Sequence, residues 1–236
     1  MEKLKLSHRL QAIADFVPAG SRVADIGTDH GYIPVWLAQN NLATSLVAAD
    51  INIGPLQHAK QTAALYHVDD RIRFELCSGL SFEDSCEYNT VIVAGMGGEL
   101  IASILEAAPW TKKENVTLIL QPNSRIQVLV EWLIDSGYAI HNTKLVKDAG
   151  KLYQILIVKA GKCAPIPNEA ERLVHAMYFH NRDPLLSEYI DSLLARYTAA
   201  EKGMLSGKTE HPDLTRTQRM IADLNQMKEK ISAWQL

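Results

Sequence analysis

The sequence predicts an α/β fold in which five parallel strands are closed by a β-hairpin, followed by a smaller all-α helical hairpin. Three observations predict it. Short apolar runs alternate with stretches of helical periodicity through the first 136 residues, and such alternation builds a parallel sheet with helices on both faces. Two extended runs, Tyr138 to Lys147 and Leu152 to Lys159, then flank Asp148-Ala149-Gly150-Lys151, which is a hairpin signal. Beyond a proline-bearing linker the chain carries almost only helical spacing.

Each element follows from its own pattern. Leu6, Leu10, Ile13 and Val17 recur at helical spacing, so an amphipathic helix is expected over 4–16, stopped before Pro18. Strands are expected at 22–26, 46–50, 72–76, 90–94 and 116–120, with helices over 32–40, 53–66, 98–107 and 124–136. Gly161-Lys162-Cys163-Ala164-Pro165-Ile166-Pro167-Asn168 has lost all periodicity and reads as a linker between domains 1–161 and 168–236. In the second domain Leu173, Met177, Leu186, Ile190, Leu193, Leu194 and Tyr197 mark one apolar face. Leu214, Ile221, Leu224, Ile231 and Trp234 mark another. The break from Ser206-Gly207 to His211-Pro212 lets the helices fold back as an antiparallel pair. Acidic and basic residues balance over 162–236, ten of each sign, which suits a salt-bridged hairpin; RNA clamping or partner binding is the alternative.

Composition narrows the function. The 236 residues are 47% hydrophobic, enough for a sizeable core, and the net charge of −3 does not announce a polyanion-binding protein. Cys77, Cys86 and Cys163 are too few and too scattered for a disulfide framework or a zinc site. His175 and His180 lack metal-ligand context, so no metal is expected. The N-terminal residues Met1 to Lys5 lack the apolar core of a signal peptide, and no apolar run approaches the ~20 residues of a membrane span. The expected setting is the cytoplasm, without membrane attachment.

The first strand leads into Asp25-Ile26-Gly27-Thr28-Asp29-His30-Gly31-Tyr32, and the second ends on Asp50. A carboxylate at Asp50 is placed to accept hydrogen bonds from two ribose hydroxyls, as in nucleoside-binding βαβ units. A pyrophosphate fingerprint needs G-x-G-x-x-G, whereas this loop reads Asp-x-Gly-x-x-x-Gly. An acid in that loop repels a pyrophosphate but tolerates the sulfonium and ammonium of S-adenosylmethionine (SAM). Five parallel strands closed by a hairpin is also the layout of Rossmann-like class I methyltransferases. A glycine turn that merely joins strand to helix is the plainer alternative.

Methyl transfer from a sulfonium asks the protein to align methyl and nucleophile and to exclude water. After the fourth strand comes Ala94-Gly95-Met96-Gly97-Gly98. Methyltransferases acting on exocyclic amines commonly carry Asp or Asn with two prolines and an aromatic here. This chain offers backbone and room for a flat ring, which fits an endocyclic ring nitrogen better. A turn without substrate contact is the alternative.

Leu6-Ser7-His8-Arg9-Leu10, Val23 to Tyr32, Ala94 to Gly98 and Gln121-Pro122-Asn123 together resemble the bacterial tRNA adenine-N1 methyltransferases that modify adenine 22. The resemblance runs over residues 4–160; the C-terminal helices are consistent with that family's coiled-coil appendage. It implies SAM as donor, tRNA as substrate and 1-methyladenine as product. It also implies cofactor contacts at Asp25, Gly27, Gly31, Asp50, Ile51, Ser78, Gly79 and Ala94. Ser78 stands where many methyltransferases have Asp.

Asp29 is the candidate for the target base, its carboxylate accepting from the adenine N6 amine and stabilising the charge that develops on alkylation. Capping of loop amides is its other reading. Asn123 and Gly95 complete the catalytic candidates, and Gln121-Pro122-Asn123 either presents an amide to the base or simply ends a strand. His8, Arg9, Tyr32, Met96 and Gly97 are the candidate substrate-binding residues. Lys3, Lys5, Arg9, Arg22, Lys112, Lys113, Arg125, Lys144, Lys147 and Lys151 are candidate phosphate partners or ordinary surface charges. A SAM methyltransferase for a small molecule or protein, and a non-catalytic SAM-binding module, remain competing readings. The oligomeric state is open, a monomer being one possibility.

Overall fold

A computed structural model describes residues 3–162, 166, 168–206 and 211–232. The chain divides into two compact units, 1–165 and 166–236. Part of the expected linker (163–165 and 167), part of the expected inter-helix break (207–210) and Trp234 lie outside the described residues.

The first unit contains α1 (His8–Ala14), β1 (Ser21–Ile26), α2 (Tyr32–Gln39), β2 (Ala43–Asp50), α3 (Ile53–Leu65) and β3 (Arg73–Leu76). It continues with β4 (Thr90–Gly97), α4 (Gly98–Glu106), β5 (Thr117–Ser124), α5 (Ile126–Asp135), β6 (Tyr138–Asp148) and β7 (Lys151–Ala160). One seven-stranded sheet results, in the order β3-β2-β1-β4-β5-β7-β6. The first five strands are parallel, and β7 inserts antiparallel between β5 and β6. Val23, Val47, Val91, Ile92, Ile119 and Leu120 are all but inaccessible. Strands covered on both faces read as unbroken apolar runs, which is why the central strands stand out in the sequence.

Several boundaries differ from expectation: β2 starts three residues early, at Ala43, and β4 runs on to Gly97. Helix α1 begins at His8 rather than residue 4, because Ser7 takes the N-cap position and its Oγ accepts from Leu10 N at 3.4 Å. Residues 3–6 form no helix, and Leu4 N donates to Gln39 Oε1 at 2.9 Å. Strand β5 runs on to Ser124, so Gln121-Pro122-Asn123 is strand and not the turn after it. Helix α5 therefore starts late, behind Arg125 in a left-handed conformation (φ 56°).

The second unit contains α6 (Glu169–Leu173), α7 (Ala176–His180), α8 (Leu186–Leu205) and α9 (Leu214–Ser232). Gln218 bonds Glu201 and Lys228 bonds Asp191, so residue numbers rise along one long helix as they fall along the other. Helices α8 and α9 are antiparallel. Leu186, Tyr189, Ile190 and Leu193 are buried on α8, and Met220, Leu224, Met227 and Ile231 on α9. Leu194, Tyr197 and Ile221, expected on the apolar faces, are only half-buried.

Candidate active site

The chain reverses direction across the sheet between β1 and β4: β1 leads outward to β2 and β3, β4 to β5. Ligand sites of open α/β sheets form at the carboxyl ends of strands at such a switch point. A cavity of about 570 Å³ opens there.

One wall comes from the β1–α2 loop. Gly27, Asp29 and Gly31 all have positive φ (70°, 51° and 68°), so every second residue of the loop is left-handed. Gly27 N and Thr28 N both donate to Ala49 O, at 2.8 and 3.1 Å, and fasten the loop to β2. A Cβ on Gly31 would stand 2.9 Å from Ala59 Cβ and 3.0 Å from its Cα, so glycine lets α2 meet α3. Gly31 N bonds Thr28 O. With Gly27, Thr28 and Gly31 amides all on backbone carbonyls, Asp29 has no capping duty toward them. Its carboxylate is two-thirds exposed, 3.7 Å from His30 Nε2. The His30 ring stacks on Tyr32 and His58, with centroids 5.3 and 5.1 Å away.

Two acids lie deeper. Asp25 is buried, and its Oδ2 accepts from Thr28 Oγ1 at 2.7 Å. Burial, which outweighs that hydrogen bond, and the nearby Asp50 charge push the Asp25 carboxyl up to about 6. Asp50, also buried, accepts from Asn52 N at 2.8 Å through Oδ1. Ile51 and Leu100, both largely exposed, stand on the cavity rim, and Ser78 and Gly79 line the wall beyond β3.

The opposite wall is built by β4 and β5. Ala94 pairs with Gln121, Met96 with Pro122 and Gly97 with Ser124, so the ladder passes over Gly95 on one strand and Asn123 on the other. These two skipped residues bond each other, Asn123 Nδ2 donating to Gly95 O at 2.8 Å. Gly95 takes φ 80°, which re-aims its carbonyl. Arg9, from α1, closes this side: its Nη1 donates to Gln121 Oε1 at 2.6 Å and its guanidinium lies over the Tyr153 ring.

A methyltransferase-domain family model matches residues 6–156. The tRNA (adenine(22)-N(1))-methyltransferase of Bacillus subtilis is 37% identical over 161 residues, 68% of each chain. The chain belongs to the bacterial tRNA (adenine-22-N1) methyltransferase family. Two solved structures agree throughout. A putative tRNA (m1A22) methyltransferase of Streptococcus pneumoniae, in complex with SAM, superposes with TM-score 0.83 at 28% identity, covering 95% of this chain and 100% of that one. The B. subtilis m1A22 tRNA methyltransferase TrmK gives 0.78 at 29% identity, covering 98% and 99%.

In this member of the methyltransferase family, the cavity gathers Arg9, Asp25, Gly27, Asp29, Tyr32 and Asp50 from the expected residues. Ile51, Ser78, Gly79, Ala94, Gly95, Met96 and Asn123 also reach it. Three others stand off it. His8 is exposed at the start of α1, Gly31 packs behind the loop against Ala59, and Gly97 faces Ser124. Thr28, Asn52 and Ile104 also line the wall and were not singled out from sequence. Only Thr28 carried a signal, a hydroxyl three residues after a strand-ending acid. Among the described residues no cluster of three or more His, Cys, Asp or Glu could hold a metal, and no helix is long and apolar enough to cross a membrane.

Proposed function

We propose that this protein transfers the methyl group of SAM to N1 of adenine 22 in tRNA. The observation that carries the reading is the division of one cavity into two chemically different halves at the sheet's switch point. The half beside β1 and β2 carries acids. Asp50 is placed for the ribose hydroxyls, with Ile51 beside it, and Ser78 and Gly79 face the cofactor's adenine. Asp25 holds the loop and sets a negative potential for the methionine ammonium; Gly27 and Ala94 let the backbone follow the cofactor, while Gly31 supports the loop from behind against Ala59.

The half beside β4 and β5 presents the Gly95 carbonyl, the Asn123 amide and Met96, with Arg9 and Tyr32 on the substrate side. Nothing there resembles the acceptor set needed to strip a proton from an exocyclic amine. N1 needs no base: its lone pair attacks the methyl carbon, the carbon–sulfur bond breaks, and the electron pair stays on sulfur. S-adenosylhomocysteine leaves neutral and the adenine becomes a cation. The Asp29 carboxylate accepts from N6 and offsets that charge, which is an electrostatic contribution made only as the reaction proceeds.

Residues 1–161 form the methyltransferase domain in this reading and 168–236 a separate helical domain. The enzyme works in the cytoplasm on tRNA, without metal. The test is transfer of labelled methyl from SAM to unmodified tRNA transcripts. Label that disappears when adenine 22 is replaced by guanine supports the reading. Label that persists, or its absence despite SAM binding, overturns it.

A further inference from the structure

The side chain of Gln121 is completely buried, yet both ends of its amide are used. Oε1 accepts from Arg9 Nη1 at 2.6 Å, and Nε2 donates to Asn123 Oδ1 at 3.0 Å. Asn123 then donates to the Gly95 carbonyl at 2.8 Å. The chain Arg9–Gln121–Asn123–Gly95 spans α1, β5 and β4, and of its four members Gln121 alone does not line the cavity.

We propose that Gln121 is a positioning residue, coupling the guanidinium of Arg9 to the Asn123 amide and the Gly95 carbonyl across the acceptor half of the site. The inference rests on the proposed function and assigns Gln121 a part in how the tRNA is held. An amide is the side chain that suits the place, because it accepts at one end and donates at the other. The sense of the chain is also fixed. Arg9 can only donate, so Oε1 must face it, Nε2 must face Asn123, and Asn123 must turn its own N–H toward Gly95. Reversing any member sets two acceptors or two donors against each other.

Arg9 has further N–H groups beyond the one spent on Gln121, and its guanidinium is braced by Tyr153. Its backbone N–H bonds Asp148 Oδ2 at 3.3 Å, which ties the start of α1 to the β6–β7 hairpin. A planar cation held by Gln121 and Tyr153 at the edge of a nucleotide-sized cavity is suited to a phosphate of the target nucleotide. Asn123 and Gly95, in contrast, face the ring. Gln121 therefore links backbone recognition to base placement: the guanidinium that takes the phosphate also decides which way Asn123 points.

The two ends separate by substitution. Gln121→Glu keeps an acceptor for Arg9 but loses the donor to Asn123; Gln121→Met loses both and preserves volume. With the full chain, Gln121→Glu is expected to hold KM for tRNA near its original value while kcat falls about tenfold. Gln121→Met is expected to raise KM for tRNA about tenfold as well, because loss of one charge-assisted contact is worth roughly that factor. SAM affinity, measured by calorimetry, stays within about twofold in both. In a double-mutant cycle with Arg9→Met, adding Gln121→Met costs nothing more in tRNA affinity.

Additive losses in that cycle overturn the proposal, as does equal damage to KM and kcat by the two Gln121 variants or a parallel fall in SAM affinity. If the unsubstituted protein leaves adenine 22 unmodified, the proposed function fails. The coupling is then judged on tRNA binding alone: non-additive weakening by Arg9→Met and Gln121→Met upholds it, and unchanged binding overturns it.

Discussion

Thr28 Oγ1 donates a 2.7 Å hydrogen bond to Asp25 Oδ2 between two buried side chains, and that bond does not compensate the carboxylate for its burial. Asp25 is pushed up from 3.8 to about 6 with no cation beside it, first by desolvation and then by Asp50. The site is built to receive positive charge, at a cost to the folded protein.

That cost has a sign. With a folded-state pKa above the unfolded one, the native protein binds more protons between pH 4 and 6, so stability falls as pH rises through that window and is level above it. Asp25→Asn is expected to abolish this slope and to stabilise the unliganded protein at pH 8, by about 3 kcal/mol at most. It also weakens SAM binding. In the unsubstituted protein SAM affinity declines below pH 6, as the carboxyl takes up a proton, and the variant shows no such decline. Thermal melts and calorimetric titrations across pH 5–8 check both.

Asp29→Asn separates base recognition from cofactor binding. The carboxylate is exposed and bound only loosely to His30, so its loss leaves the fold intact. SAM affinity is expected to be unchanged and kcat to fall by about a hundredfold, the scale of removing one oriented group that stabilises developing charge. Single-turnover kinetics on tRNA measure it; unchanged turnover with unchanged SAM affinity would show that Asp29 only shapes the loop.

Gly31→Ala tests the loop's packing. The new methyl meets Ala59 on α3 within 3.0 Å, in a left-handed conformation that alanine resists. A loss of about 2–3 kcal/mol in stability is expected, read from denaturant unfolding. Gly20→Ala is the matched control. It has a similar φ of 77° but no atom near its Cβ, so only the conformational cost of about 1 kcal/mol applies.

Much of this was legible in the sequence because it is local. Asp25, Gly27 and Asp50 are set by a strand, a turn and the next strand, and their spacing alone brings them to one cavity. The apolar runs of β4 and β5 announced two-sided burial in the same way. The register between those strands was not legible. Nothing near Gly95 says that the ladder will skip it, or that Asn123, 28 residues on, will be skipped opposite and bond its carbonyl. The contact of Arg9 with Gln121 joins positions 112 apart and exists only once α1 has docked. Helix α1 itself read four residues too long at its start, because Leu6 keeps the helical spacing with Leu10 and Ile13 while Ser7 caps after it.

The central claim is that an endocyclic nitrogen receives the methyl, at a site whose β4 end lacks the Asp or Asn, two prolines and aromatic that commonly serve exocyclic amines. Primer extension on tRNA methylated by the purified protein tests it most directly, since a methyl on N1 blocks the pairing edge of adenine and one on N6 does not. The account predicts a reverse-transcription stop at adenine 22 that appears only with SAM and is lost in Asp29→Asn at short reaction times. Methylated tRNA that is read through at that position would contradict it.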